Sequence, residues 1–312
     1  MVERILLVLG ALVLNALLGG PRRFYAALGL ARIGRMPAQW VRVFERKLNR
    51  EHRSIKERET RGWLFALFAL LAALIAGSLM TLLLSDALPT VELVLLACLL
   101  PFRSTWDTVA SLRRGLRDGN LSVARQSLEY TVWKHHPLLD EFGLARAGVE
   151  MLAVHFSEKI VAPIVFYVLF GLPGLCLSKT IYLLQETLVR PTESEEAFGR
   201  ASRKLHHMLH YIPSRMTAGL WLVAAIVLPS ANVYSAAEQV KNGVFGESPQ
   251  DLSILSAASV LNLCLGGTSS AYVHEGWIGA GTAKVTHAHI GRALRAFFVL
   301  HVLLFCFFGI FI

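Results

Sequence analysis

Three stretches of this sequence hold residue types at spacings that could do chemistry. In "EMLAVHFSEKIVAP", Glu150 to Pro163, Glu150 and Glu158 lie eight residues apart, a little over two helical turns, so their carboxylates can share a face. His155 precedes Glu158 by three residues, where an imidazole and a carboxylate can act as an acid–base pair; a hydrogen-bonded structural histidine is the bland alternative. His206 and His210 stand four apart, a spacing that can clamp a transition metal such as zinc or cobalt. No HExxH pattern accompanies them and His207 points elsewhere, so a polar helix face competes with a metal site. The third stretch, "VHEGWIGAGTAKVTHAH" from Val273 to His289, is glycine-rich and contains Lys284. It departs from GxxxxGK[ST], since Val285 follows the lysine, and a flexible connector competes with phosphate binding.

The elements that must position these residues are set by the solvent. With 54% hydrophobic and 17% charged residues and a mean hydropathy of +0.50, the 312-residue chain is too apolar for an ordinary soluble domain. It reads as an all-α, polytopic membrane protein with a single integral membrane domain, residues 1–312. The formal charge of +9 gathers in loops between apolar runs, which membrane orientation explains without nucleic acid. Cys98, Cys176, Cys264 and Cys306 all sit in apolar stretches without a CxxC pair and read as small buried residues.

Apolar segments fall near residues 5–20, 63–84, 88–102, 160–184, 216–230, 252–267 and 296–312. The first reads as a retained anchor rather than a signal peptide. The segments 22–61, 103–159, 190–215 and 268–295 read as a cytoplasmic amphipathic helical layer, because the loops flanking the 63–84 and 88–102 pair are strongly basic. Asn120 is the expected N-cap of the helix in "NLSVARQSLEYTVWKHH". A single span over 160–184 would carry Arg190, Arg200, Arg203 and Lys204 to the outside, so a broken or re-entrant helix near Gly171–Gly174 is expected.

The order of elements resembles the adenosylcobinamide-phosphate synthase family of cobalamin biosynthesis, the CbiB or CobD membrane proteins. The stretches that carry it are "LLGGPRR", "FERKLNR", "RGWLFALF", "GLRDGNLSVARQSLEYTV", "LDEFGLARAGVE", "IVAPIVFYVLFGLPG", "FGRASRKLHHMLHYIPSRMTA" and "THAHIGRALR". The resemblance implies a multi-pass protein of the bacterial inner membrane that spends ATP to join adenosylcobyric acid to aminopropanol or its phosphate. It implies Mg2+ on the ATP, a corrinoid substrate, the lipid bilayer and other cobalamin-pathway proteins as partners, and no nucleic acid. It marks Glu150 and Glu158 as positions for magnesium or substrate, and Lys134 and Arg215 as cations able to receive phosphate.

Several of the family's acids are replaced here. A Gly-Asp-Pro motif corresponds to Gly19-Gly20-Pro21, VGRDT to Val132-Trp133-Lys134-His135-His136, and a Glu-Asn pair to Val154 and His155. Glu158 stands for an aspartate, Ile181 and Leu184 for an asparagine and an aspartate, and His206, His207 and His210 for Asp-Asp and Asn. Two readings follow: a divergent amide-forming enzyme, or a non-catalytic membrane scaffold, partner or sensor of the AmpE-like kind.

Overall fold

The computed structural model describes residues 1–18, 36–50, 53–84, 89–129, 139–188, 193–228, 231–243, 248–267 and 276–312. Among the described residues the fold is all-α apart from one two-stranded ladder, and it divides into two compact units. The first comprises Met1–Leu100 and Ala162–Tyr211; the second comprises Pro101–Val161 and Ile212–Ile312.

The first unit contains α1 (Val2–Leu18), α2 (Met36–Leu48), α3 (Ile55–Leu84) and α4 (Pro89–Leu99). α3 is about 45 Å long at 1.5 Å per residue, more than a hydrocarbon core requires. Only 11% of its most apolar window is buried, and Leu64, Leu67, Phe68, Leu71 and Ile75 are exposed. Such a surface is stable only against lipid. α1 packs on α4, where the buried Asn15 Nδ2 donates to the Ala97 carbonyl at 2.7 Å.

The second unit opens with α5 (Phe102–Arg117), α6 (Leu121–Glu129) and α7 (Glu141–Val154), after which His155–Val161 winds as a π-helix. Asn120 caps α6 as expected, its Oδ1 accepting the Val123 N–H at 3.2 Å. Asp140 caps α7 through the Gly143 N–H at 2.7 Å.

The chain then re-enters the first unit as α8 (Ala162–Phe170), α9 (Leu172–Leu188) and α10 (Glu193–Leu209). The break falls at Gly171, whose φ of 71° lies in the left-handed region. A Cβ on Gly174 would strike the Phe166 backbone, eight residues earlier, so the chain folds back on itself as a helix hairpin. Two glycines of α3 allow close backbone approach: a side chain on Gly77 would collide with Pro173 of α9, and one on Gly62 with the Phe198 carbonyl of α10. Between them lie Phe65, Ala66, Leu70, Ile181, Leu184 and Phe198, the apolar core of this unit.

The second unit closes with α11 (Tyr211–Val227), α12 (Val233–Gly243), α13 (Pro249–Leu261), β1 (Leu265–Gly266), β2 (Trp277–Ile278) and α14 (His287–Gly309). β1 and β2 are antiparallel, with Leu265 opposite Ile278 and Gly266 opposite Trp277.

Among the described residues, four helical runs are long and apolar enough to cross a membrane: Ile55–Leu84, Pro89–Arg117, Glu141–Phe170 and His287–Gly309. Their bounds differ from the expected apolar segments. The run 141–170 begins well inside the stretch expected to be cytoplasmic, and it is 89% buried in its apolar window, so packing and not lipid explains its hydropathy. α13 is 13 residues long and ends where Asn262 turns left-handed at φ 53°, short of the expected 252–267. Cys98, Cys176 and Cys264 are partly exposed and Cys306 is exposed, unlike the buried positions expected; Cys264 lies in the link between α13 and β1, and the others lie on partly uncovered helices.

Gly77→Leu is expected to cost about 1–3 kcal/mol through overpacking against Pro173, and Gly171→Ala about 1–2 kcal/mol through its left-handed backbone. Thermal unfolding in detergent checks both; wild-type melting in Gly77→Leu would contradict the packing described.

Candidate functional site

α7 and the π segment carry three ionisable side chains into the interior of the second unit. Glu150 is fully buried, and its Oε1 accepts the Gly266 N–H of β1 at 2.8 Å, across 116 positions of sequence. Glu158 is buried, and its Oε2 accepts from Gln250 Nε2 of α13 at 3.2 Å. His155 is buried with Nδ1 3.0 Å from Thr105 Oγ1 of α5. One helical run therefore meets three distant elements through three polar side chains.

The π-helix changes how the two acids relate. In an unbroken α-helix, residues eight apart are offset by about 80° around the axis. Bonding i to i+5 turns the chain less per residue, so winding through His155 swings Glu158 back toward the face of Glu150.

One turn before Glu150, Arg146 donates from Nη1 to the Ala283 carbonyl at 2.9 Å, and its guanidinium lies 5.0 Å from the ring centroid of Trp277. Glu150 thus ties β1 to α7, and Arg146 ties Trp277 and Ala283 of the glycine-rich stretch to the same helix. Lys284 follows Ala283 with its side chain exposed, and its N–H donates to Thr282 Oγ1 at 3.2 Å. Arg215, in the first turn of α11, is partly buried and donates to Ser214 Oγ at 3.3 Å. Lys134 lies outside the described residues, as do Gly19 to Pro21 and Val273 to Glu275.

His206 and His210 belong to the first unit. Both are buried, with rings stacked at 4.2 Å between centroids and 21° between planes. Stacked rings direct their in-plane lone pairs side by side instead of onto one point, which is poor geometry for a shared ion. Among the described residues no group of three His, Cys, Asp or Glu side chains assembles to hold a metal. Burial holds the His210 imidazole well below the usual histidine range, and the neighbouring His206 adds to that.

A cavity of about 480 Å³ in the first unit is lined by Arg4, Ser78, Thr81, Glu92, Tyr167 and Pro173, among others. Its polar groups serve the fold: Tyr167 Oη donates to Glu92 Oε1 at 2.7 Å, and Arg4 Nη1 donates to the Val168 and Leu169 carbonyls at the end of α8, each at 3.3 Å.

Thr105, Arg146, Gln250 and Gly266 were not singled out by sequence. Only Arg146 left a local signal, its spacing of four from Glu150; the others meet their partners from remote segments. Glu150→Gln keeps an acceptor for the Gly266 N–H, whereas Glu150→Leu strands that donor. The second variant is expected to lose about 1–3 kcal/mol more stability than the first, read as a lower melting temperature.

With this geometry in place, comparison with known proteins supplies the family. A family model described as "CobD/Cbib protein" matches residues 8–297. A cobalamin biosynthesis protein CobD of Brucella suis is 35% identical over 136 residues, 44% of this chain and 41% of that protein. The match thus spans less than half the length of the Brucella relative. One from Rhodobacter capsulatus is 30% identical over 69% of this chain and 67% of its own length, and one from Sinorhizobium is 28% identical over 96% and 95%. No solved structure matches significantly. The family model covers nearly the whole chain, including every residue of the buried cluster on α7 and the π segment, and the chain belongs to the CobD/Cbib protein family.

Proposed function

We propose that this protein acts in cobalamin biosynthesis as a membrane-bound, ATP-dependent amide-forming enzyme that joins adenosylcobyric acid to aminopropanol or its phosphate. The observation that carries this reading is the pair of buried carboxylates, Glu150 on α7 and Glu158 on the π segment that follows it, inside the matched region. Buried acids are costly, and π turns concentrate at functional sites.

The chemistry of this reading needs magnesium and ATP. Magnesium bound with ATP is usually held by one or two carboxylates together with phosphate oxygens, not by a protein cage. Glu150 and Glu158 would hold it, and the ion would neutralise phosphate charge. Gln250 orients the Glu158 carboxylate, and the Gly266 N–H fixes that of Glu150. Thr105 Oγ1 bonds His155 Nδ1, and in the tautomer whose Nδ1–H donates to that hydroxyl, Nε2 would accept a proton from the attacking amine. Lys284 and Arg215 would supply positive charge to phosphate groups, as would Lys134. The stacked pair His206 and His210 is assigned to packing between helices, with a bound transition metal the lesser reading.

In this reading, which the basic loops support, the amphipathic segments lie on the cytoplasmic side of a bacterial inner membrane, and the α8–α9 hairpin would enter and leave from that side. A corrinoid would reach the acids from the cytoplasm, where ATP is found.

Complementation tests this reading. In a strain lacking its cobinamide-phosphate synthase and supplied with cobyric acid, the wild-type chain is expected to yield cobinamide phosphate by mass spectrometry. Glu158→Gln is expected to cut that product about a hundredfold. No product from a well-inserted wild-type protein would sink the enzymatic reading and leave the non-catalytic one.

A further inference from the structure

We infer that Trp277 is a stacking platform for the purine ring of a nucleoside or nucleotide bound beside Arg146. Large aromatic rings are normally buried, yet Trp277 is 54% exposed. It is nonetheless held in place. The Arg146 guanidinium covers it at 5.0 Å from the ring centroid, and a Cβ on Gly267 would come within 2.9 Å of the ring, so only a glycine fits there. The Gly267 N–H donates to the Gly276 carbonyl at 2.7 Å, and Gly276 and Gly279, on either side of β2, have φ of 88° and 97°. An exposed ring fixed this tightly presents an ordered π surface.

Its position makes that surface useful. Trp277 is the ladder partner of Gly266, the residue whose N–H is held by the buried Glu150 carboxylate. Neighbouring strands lie about 4.8 Å apart, so the ring sits one strand away from the acid. Arg146 reaches Trp277 from the same helix, one turn before Glu150, and its Nε is buried with no hydrogen-bond partner among the described residues. A flat heterocycle on the ring would leave its sugar or phosphates near the Arg146 guanidinium. Aliphatic amines and simple phosphates have no use for an aromatic face, whereas a purine does. A tryptophan that only anchors the chain at a bilayer surface needs neither Arg146 nor Gly267 against it.

This inference rests on the amide-forming reading for its choice of ligand, where adenine could come from ATP or from the adenosyl group of the corrinoid. The test measures binding and not turnover, so the two can fail separately. Adenosine, ATP and tripolyphosphate are titrated into the full-length protein in nanodiscs while tryptophan fluorescence is followed. Because the chain has six tryptophans, the contribution of Trp277 is read as the difference between wild type and Trp277→Phe.

Adenosine and ATP are expected to quench the wild type, tripolyphosphate to leave it unchanged, and Trp277→Phe to abolish the quench. In equilibrium dialysis with labelled adenosine, Trp277→Phe should stay within about threefold of wild type, while Trp277→Leu should bind about tenfold more weakly. Displacement of the label by ATP assigns the platform to the nucleotide, and displacement by adenosylcobyric acid alone assigns it to the corrinoid. Absence of quenching by adenosine, or unchanged affinity in Trp277→Leu, would overturn the proposal. Quenching through Trp277 in a chain that forms no amide would uphold the platform and remove the proposed reaction; amide formation without quenching would do the reverse.

Discussion

Glu150 has no solvent exposure, and a carboxylate taken out of water must find donors inside the protein. Much of the second unit answers to that requirement. The Gly266 N–H can reach Glu150 only because α13 stops at Asn262, whose left-handed backbone releases the chain into β1. β1 then pairs with β2, and Arg146 binds the following stretch at Ala283. Glu158 and His155 extend the pattern along the same helical run, drawing in Gln250 and Thr105. A polar spine inside apolar helices is sustained by partners that lie far away in sequence.

The first unit solves a different problem. α3 gives most of its side chains to lipid, so little of it is left to bind the helices beside it. Gly62 and Gly77 answer by admitting α10 and α9 at backbone contact, where dispersion does the work that burial from water does in soluble proteins. Gly171 and Gly174 use the same device within one segment, turning α8 back along α9.

Much of this was legible in the sequence. The apolar runs, the Asn120 cap and the break near Gly171 all follow from local composition and backbone preference. The π-helix did not, because no residue pattern distinguishes bonding to i+5 from bonding to i+4; yet it decides how Glu158 relates to Glu150. The extent of the 141–170 run was missed for a related reason: hydropathy cannot tell a helix buried in protein from one buried in lipid. His206 and His210 had the right spacing for a metal, but side-chain rotation stacked their rings. Trp277 lies in the glycine-rich stretch Val273–His289, but its partners Arg146 and Gly267 come from elsewhere in the chain and meet it only through the fold.

Ile181 and Leu184, where the family resemblance implies an asparagine and an aspartate, belong to the apolar core of the first unit, and the proposed chemistry rests on Glu150 and Glu158. The central claim is that a substrate carboxylate is activated by ATP before the amine attacks. Heavy-oxygen tracing tests it most directly: cobyric acid labelled with oxygen-18 in the reacting carboxylate is given to the purified full-length protein with ATP, magnesium and aminopropanol phosphate. Activation through phosphate predicts one labelled oxygen in the inorganic phosphate or AMP released with each amide formed. Amide formation with unlabelled phosphate products would contradict the account.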